Sequence, residues 1–462
     1  MRALFLNQFY APDIAATAQV LSALCQGLAA RGHDIGVLCS SLRYRQPHHG
    51  FAHSPASDGG SLAEKETLSG VHVHRVSLPA AAPDASNRPV APAWRRLADR
   101  AWREARFTFS AWLRLRRLVN EQQSEVLVAM STPPTLLLLG LAVGLPRRIP
   151  VVFWVQDVYP DLLSVTGLLR PDRRLDRGVM AALRLAFAGL YRHTDAAVVL
   201  DEAMRDRLIA AGFPAQRLHV IEHAADSQAI AAVPAAENRI RRLLGLRPQD
   251  FVVCYAGNLG RGHDFSTVAS ALSAIAVDPL LQSVHFVFIG EGEGRAGLRS
   301  AVPAALSDRV HFLPPQEAAL HRDVLSTGDV ALVTLGADFA GLMTPSKIYP
   351  LLAAARPILY VGPALGRVHD LCAGGPDRSP VGVAVANGDV DGLVAALRHL
   401  YTDVNSRQGM AQQARQLAEV RFDQRVATLR HEALLQRVIG HRAAPDQRAL
   451  HSWLGRLRPR TT

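Results

Sequence analysis

The chain has 462 residues, of which 49% are hydrophobic and 20% charged, with 51 Lys+Arg against 40 Asp+Glu. That length holds two to four domains of roughly 100–200 residues, and so much aliphatic chain excludes wholesale disorder. Cys25, Cys39, Cys254 and Cys372 lack CxxC or Cys/His spacing, which argues against a zinc site or disulfide framework and favours a reducing compartment.

Short apolar strands alternate with longer helical stretches, the pattern of parallel sheets covered by helices. In the first half the pattern predicts strands at 3–7, 34–40, 71–76, 126–130, 151–156, 196–200 and 218–222. Helices are predicted at 16–31, 134–144, 175–191 and 201–211. Residues 43–70, rich in His, Ser, Pro and Gly, read as a flexible insertion. After a break at 226–248 the pattern restarts, with strands at 251–256, 285–290, 310–312, 330–334, 358–360 and 381–385, then helices at 389–401 and 409–422. The expected organisation is two doubly wound units, 1–230 and 231–422, facing a cleft, followed by a helix and Arg-rich tail over 423–462. Ligands of such sheets bind beyond the carboxyl ends of the strands.

The net charge of +11 is concentrated. Residues 94–117 hold eight arginines and two acids, and residues 441–462 hold five arginines and one aspartate, so these stretches carry ten of the eleven excess charges. Neither interleaves aromatics as a base-stacking array does, and nucleic acid is not an expected partner. Within the first stretch Trp94, Leu97, Ala98, Ala101, Trp102, Ala105, Phe109, Trp112 and Leu113 recur at helical spacing, with arginines on the opposite and flanking faces. This pattern suits the interface of an anionic membrane, with Trp94, Trp102, Arg103 and Trp112 as candidate contacts. It also suits a helix packed on its own domain with a solvated Arg face. The longest apolar run, 136–145, is about half of the roughly 20 residues a membrane span needs. The first ten residues read as a strand rather than a signal peptide. The expected location is the cytoplasm, peripheral on the membrane.

Four loops carry candidate chemistry. After the first strand, Asp13, Ala15, Ala16 and Thr17 open a helix whose small residues and free N–H groups admit a ligand; Asp13 or Thr17 also suits a plain helix cap. The second unit opens Tyr255-Ala256-Gly257-Asn258-Leu259-Gly260-Arg261-Gly262, a glycine turn with one fixed guanidinium that would cradle phosphate. Gly290-Glu291-Gly292-Glu293 follows another strand, and its acids suit a hydroxyl-rich ligand. Gly341-Leu342-Met343-Thr344-Pro345-Ser346-Lys347 ends in one of only two lysines in the chain, Lys65 being the other. Pro345 and Ser346 read as a helix start with Lys347 in its first turn, a position that suits a phosphate partner or a solvated lysine. Asp389-Val390-Asp391 spells DxD but lies at a helix start and reads as capping. His72 and His74 read as an exposed strand face, and no metal site is expected.

In order and spacing, Gly257-Asn258-Leu259, Arg261-Gly262, Gly290-Glu291-Gly292 and Pro345-Ser346-Lys347 resemble retaining glycosyltransferase family 4. NQFYAPDIAATAQ from Asn7 and WVQDVYPD from Trp154 look like its colanic-acid and O-antigen-type bacterial branch. The resemblance runs from Met1 to about Arg437. It implies a GT-B fold: two Rossmann-like domains, with a nucleotide-sugar donor held by the second and a lipid-linked glycan acceptor by the first. It further implies retention of anomeric configuration with no metal or other cofactor. By the same resemblance Arg261 and Lys347 would hold the donor pyrophosphate, and Asp157 would sit near the reacting sugar. Gly257, Asn258, Gly260, Gly290, Glu291, Gly341, Leu342, Met343 and Ser346 would contact the donor. His223 and Asp226 would line the cleft. Two glutamates common in the family fall at Leu342 and Pro350 here, so the ribose contact must come from elsewhere, with Glu291 or water as candidates. The implied function is sugar transfer to a polyprenyl-diphosphate-linked glycan. A nucleotide-sugar 2-epimerase of the same architecture and a non-catalytic membrane-associated scaffold are the alternatives.

Overall fold

Near-continuous runs of Val, Leu, Ala and Phe, such as Val126–Met130 and Val151–Trp154, form strands buried along their whole length, as central parallel strands must be. A computed structural model describes residues 1–13, 15–41, 62–77, 93–170, 172–375 and 378–443, without the side chains of 93–101, 103 and 443. The first sheet comprises β1 (Arg2–Leu6), β2 (Asp34–Ser40), β3 (Lys65–Leu68), β4 (Val71–Val76), β5 (Val126–Met130), β6 (Val151–Trp154), β7 (Ala196–Val199) and β8 (Leu218–Val220). Its order is β3-β4-β2-β1-β5-β6-β7-β8, with β3 antiparallel to β4. The second comprises β9 (Phe251–Ala256), β10 (Val284–Ile289), β11 (Val310–Leu313), β12 (Val330–Thr334), β13 (Ile358–Val361) and β14 (Gly382–Val385), in the order β11-β10-β9-β12-β13-β14. In each sheet the order reverses once, between β1 and β5 and between β9 and β12. Those are the switch points where loops diverge to leave a crevice.

One face of the first sheet is covered by α2 (Ala93–Glu121), α3 (Thr135–Arg147), α5 (Arg174–His193) and α6 (Glu202–Ala210). The opposite face takes α1 (Ala16–Ala30) and, from the far end of the chain, α15 (Gln424–Ala443), whose Leu434, Leu435 and Val438 complete that core. Short α4 (Asp161–Val165) precedes α5. In the second domain α8 (Ser266–Val277), α9 (Gly294–Ser300) and α13 (Val390–Thr402) cover one face. The other carries α11 (Ile348–Ala353), α12 (Arg367–Ala373) and α14 (Val404–Val420), with α7 (Arg239–Leu243) and α10 (His321–Leu325) at the side.

Two features differ from the sequence reading. β3 forms inside the stretch expected to be a flexible insertion; as a four-residue edge strand of polar composition it has no apolar run to announce it. Residues 42–61 of that insertion and 444–462 of the Arg-rich tail lie outside the described residues. The helix expected from Pro345 starts three residues later, at Ile348, after a tight turn in which the Ile348 N–H donates to the Pro345 carbonyl at 3.3 Å.

The chain crosses between domains twice, side by side: Ala225 N–H donates to the Phe422 carbonyl and Gln424 N–H to the Ala225 carbonyl, both at 3.0 Å. Beside this crossing, buried Glu222 accepts from Arg421 at 2.5 Å, Arg367 at 2.9 Å and Arg430 at 3.2 Å, drawing α12 and α15 to the end of β8. Removing the one carboxylate leaves the buried Arg367 guanidinium uncompensated. Glu222→Ala should therefore lower stability by about 3 kcal/mol, read as an earlier denaturation midpoint. An unchanged midpoint would mean that water replaces the carboxylate.

Candidate active site

The second domain's switch point is built from two interlaced glycine loops. Gly257 N–H donates to the Ile289 carbonyl at 2.9 Å, Leu259 N–H to Glu291 at 2.8 Å, and Gly294 N–H back to Leu259 at 2.9 Å. Gly290 has φ +140°, and a Cβ there would run into the Gly257 carbonyl; one at Gly292 would strike the Leu259 backbone. The glycines are thus demanded by backbone meeting backbone. Asn258 is exposed and Gly260 half-buried at the mouth, while the Asn258 carbonyl accepts from Tyr255 Oη at 2.7 Å.

Lys347 enters this cradle from below. Its Nζ is shielded from solvent, has no hydrogen-bond partner among the described residues, and lies 3.7 Å from the centroid of the Tyr255 ring. A Cβ at Gly257 would come within 2.9 Å of it, so the glycine is what admits the lysine. Burial pushes the ammonium down to about 7. His263, which the sequence reading left without a role, is its neighbour. Burial, and then the Lys347 charge, hold the imidazole at about 3, hence neutral, with Nδ1 2.7 Å from the Thr334 carbonyl.

Arg261 lies at the exposed rim. It donates to Glu293 at 2.6 Å and, across the cleft, to the Thr166 carbonyl at 3.1 Å; the Glu293 bond holds its guanidinium even more firmly protonated. Glu291, a candidate for the ribose, instead turns its carboxylate to Arg295. Ser346 is half-buried beside Lys347.

The segment from Gly341 is sewn to the first domain. Gly341 takes φ +67°, and a Cβ there would press on the Ala203 carbonyl. Arg207 Nε donates to the Ala340 carbonyl at 2.9 Å, and Thr344 Oγ1 to Asp201 at 2.9 Å. Leu342 belongs to the backbone turn expected to meet the donor, and its side chain is turned elsewhere. It is 1% exposed and packs into the first domain's core, because the left-handed turn at Gly341 points it there. Its carbonyl is also taken, accepting from Val158 N–H at 2.9 Å. Met343 pairs across the cleft with Asp157 in an isolated antiparallel bridge, and its sulfur faces Gly262. Burial pushes the Asp157 carboxyl up to about 6. Asp157, Met343, Arg261, Gly257 and Lys347 therefore form one neighbourhood spanning both domains.

Asp13 accepts from Ala15 N–H at 2.9 Å, a turn preceding α1; Ala15 is buried, Ala16 exposed and Thr17 half-buried, and no side chain caps that helix. Asn7 Oδ1 and Gln156 Nε2, near the ends of β1 and β6, are buried without partners, and only tertiary structure reveals them. Buried His223 is held at about 3 by burial, whereas Asp226 is exposed and caps a turn by accepting from the Gln228 and Ala229 N–H groups. Asp389 accepts from Gly392 N–H at 2.8 Å, the capping role read for the DxD. Pro350 sits in the first turn of α11. His74 bonds to Gln122 at 2.9 Å, and among the described residues no group of three or more His, Cys, Asp or Glu is placed to hold a metal.

The Glycosyltransferase Family 4 model matches residues 17–229. The chain is 29% identical over 293 residues, 60% of its length, to a probable glycosyltransferase, WbjE, of Pseudomonas aeruginosa, covering 68% of that protein. It is 25% identical over 250 residues, 54% of its length, to WcaI of Escherichia coli K12, a putative colanic acid biosynthesis glycosyl transferase, covering 59% of it. These matches support a glycosyltransferase of family 4 type. The structure of HepE from Anabaena, in complex with UDP and glucose, superposes with a TM-score of 0.65 at 16% identity, over 94% of this chain and 99% of that one. The fold is GT-B.

A buried ammonium near neutrality makes anion binding pH-dependent. The diphosphate diester of a nucleotide sugar keeps its charge across this range, and Lys347 supplies its own fully only below about 7. Affinity should therefore weaken as pH rises through that value. Calorimetry at pH 8 should show proton uptake on binding that Lys347→Met abolishes; equal uptake in the variant would place the titrating group elsewhere.

Proposed function

We propose that the protein is a retaining glycosyltransferase that moves a sugar from a nucleotide-sugar donor to a polyprenyl-diphosphate-linked glycan in bacterial exopolysaccharide, capsule or O-antigen synthesis, without a metal. The observation that carries this reading is the unpartnered Lys347 ammonium, buried against Gly257 at a sheet switch point. A buried cation without an acceptor is costly unless a ligand supplies the anion. The acceptor hydroxyl would bond to the anomeric carbon as the sugar–diphosphate bond breaks, its proton passing to the departing phosphate. Lys347 and Arg261 would offset the charge gathering on that phosphate, and the Asp157 carboxylate the positive charge on the sugar.

Transfer from a panel of nucleotide sugars to a lipid-linked acceptor tests this, with donors first ranked by thermal stabilisation. Lys347→Ala and Arg261→Ala should each lower kcat/KM by roughly 10²-fold or more. Donor conversion without acceptor would indicate an epimerase, and nucleotide affinity with no turnover a scaffold.

The location proposed is the cytoplasmic face of an anionic membrane, contacted by α2. Among the described residues no helix is long and apolar enough to cross a membrane. Supporting contact instead is the orientation of α2. Its core face is Phe107, Ala111, Leu115 and Leu118, while Trp102, Phe109 and Leu113 point outward, Trp102 with 66% exposure. Trp112 is partly buried against the core beneath Arg116, and the side chains of Trp94 and Arg103 lie outside the described residues. Reversing Arg95, Arg96, Arg103 and Arg106 to Glu should release the protein from anionic vesicles; unchanged co-sedimentation would refute this contact.

A further inference from the structure

Eight of the sixteen large hydrophobic residues exposed among the described ones lie on α2, α3 and α5, which pack side by side on one face of the first sheet. That clustering is more than the scatter of single apolar residues any surface carries. The part on α2 belongs to the membrane reading above. The part on α5 does not, and it is the more exposed.

In α5 only Met180 and Tyr191 are buried. Leu175 and Val179 lie one turn apart and Leu185 six residues on, the three spanning about 120° of the helix surface, and they are 79%, 40% and 73% exposed. Residues 170–193 hold six arginines against two aspartates. One aspartate, Asp176, is occupied with the Arg170 N–H at 2.8 Å. Arg184 pairs with Asp161, but exposed Arg173, Arg174 and Arg177 make no ion pair among the described residues. An apolar stripe flanked by unpaired arginines matches an anionic lipid surface, in which acyl chains take the leucines and headgroup phosphates the guanidiniums. A second copy of the chain fits less well, because a two-fold contact would set these arginine-bearing faces against each other.

The helix is also short of the cleft by only one loop. Thr166, whose carbonyl accepts from Arg261, lies eight residues before Arg174. We propose that α5 is a second bilayer-contacting element, its Leu175, Val179 and Leu185 stripe sunk into the headgroup layer of an anionic membrane and its arginines on phospholipid phosphates. This rests on the peripheral-membrane reading but on different residues from those of α2. It orients the molecule so that the rim of the cleft, rather than α2 alone, meets the lipid.

All four native cysteines are buried, so a single introduced surface cysteine can carry an environment-sensitive fluorophore. The probes are Leu185→Cys on α5, Trp102→Cys on α2 and, on the far side of the domain, Leu429→Cys on α15. With vesicles of phosphatidylglycerol and phosphatidylcholine, emission at Leu185→Cys should shift to the blue, and pure phosphatidylcholine should give little shift. Leu429→Cys should stay unchanged. In co-sedimentation the exposed-site double variants Leu175→Ser/Leu185→Ser and Arg173→Glu/Arg177→Glu should each bind anionic vesicles roughly tenfold more weakly. A shift at Trp102→Cys without one at Leu185→Cys overturns the α5 proposal and leaves the α2 reading standing. No shift at either overturns both. A vesicle-independent dimer broken by Leu175→Ser/Leu185→Ser would assign the face to a second copy and also overturn the proposal.

Discussion

One leucine from the second domain is packed in the core of the first, and the geometry of the cleft follows from it. Gly341 can take the left-handed turn that a side chain would resist, and Leu342 is thereby driven in among the first domain's aliphatic residues. Everything after it is placed: Met343 opposite Asp157, Thr344 on Asp201, and Lys347 three residues on, under the glycine loop. A buried leucine contributes about 1.5–3 kcal/mol and each hydrogen bond of the seam about 1 kcal/mol. That is enough to set the register of two domains, yet small beside the cores on either side. The distance between Asp157 and the cations of the second domain is therefore decided by packing rather than by loop conformation.

The two cations of the site are prepared differently. Lys347 has lost its water, and the Tyr255 face offers at best about 2 kcal/mol in return. Its amine is in position before any ligand arrives, but burial leaves it only partly protonated near pH 7. Arg261 is at the solvent rim and already satisfied by Glu293 and Thr166. That exposed ion pair is worth about 0–1 kcal/mol, so its exchange for another anion costs little. Lys347 is thus a fixed but titratable amine, while Arg261 ties the glycine loop to the first domain.

The strands were legible because parallel strands buried on both faces leave unbroken aliphatic runs, and Lys347 stood out because lysine is so rare here. β3 was not, since a short polar edge strand has no pattern of its own. In sequence Leu342 reads only as part of a donor-facing turn, because no periodicity says into which domain's core a single leucine packs. The neutral His263 and the unsatisfied Asn7 Oδ1 and Gln156 Nε2 are defined wholly by what surrounds them, so composition is silent about them.

The basic helix α2 shows the same limit from another side. Trp102, Phe109, Trp112 and Leu113 belong to the wider apolar stripe, and a wide stripe ordinarily faces the core. Here a second, narrower stripe of Phe107, Ala111, Leu115 and Leu118 does that, with Trp112 partly buried beside it, while Trp102, Phe109 and Leu113 are turned to solvent. The opposite face of the sheet is closed by α1 and by α15 returning from the end of the chain. Apolar exposure and positive charge are thus left together on one side of one domain. The sheet's two faces have different work because the chain's last helix covers one of them, and that asymmetry gives the molecule an orientation that its net charge alone does not specify.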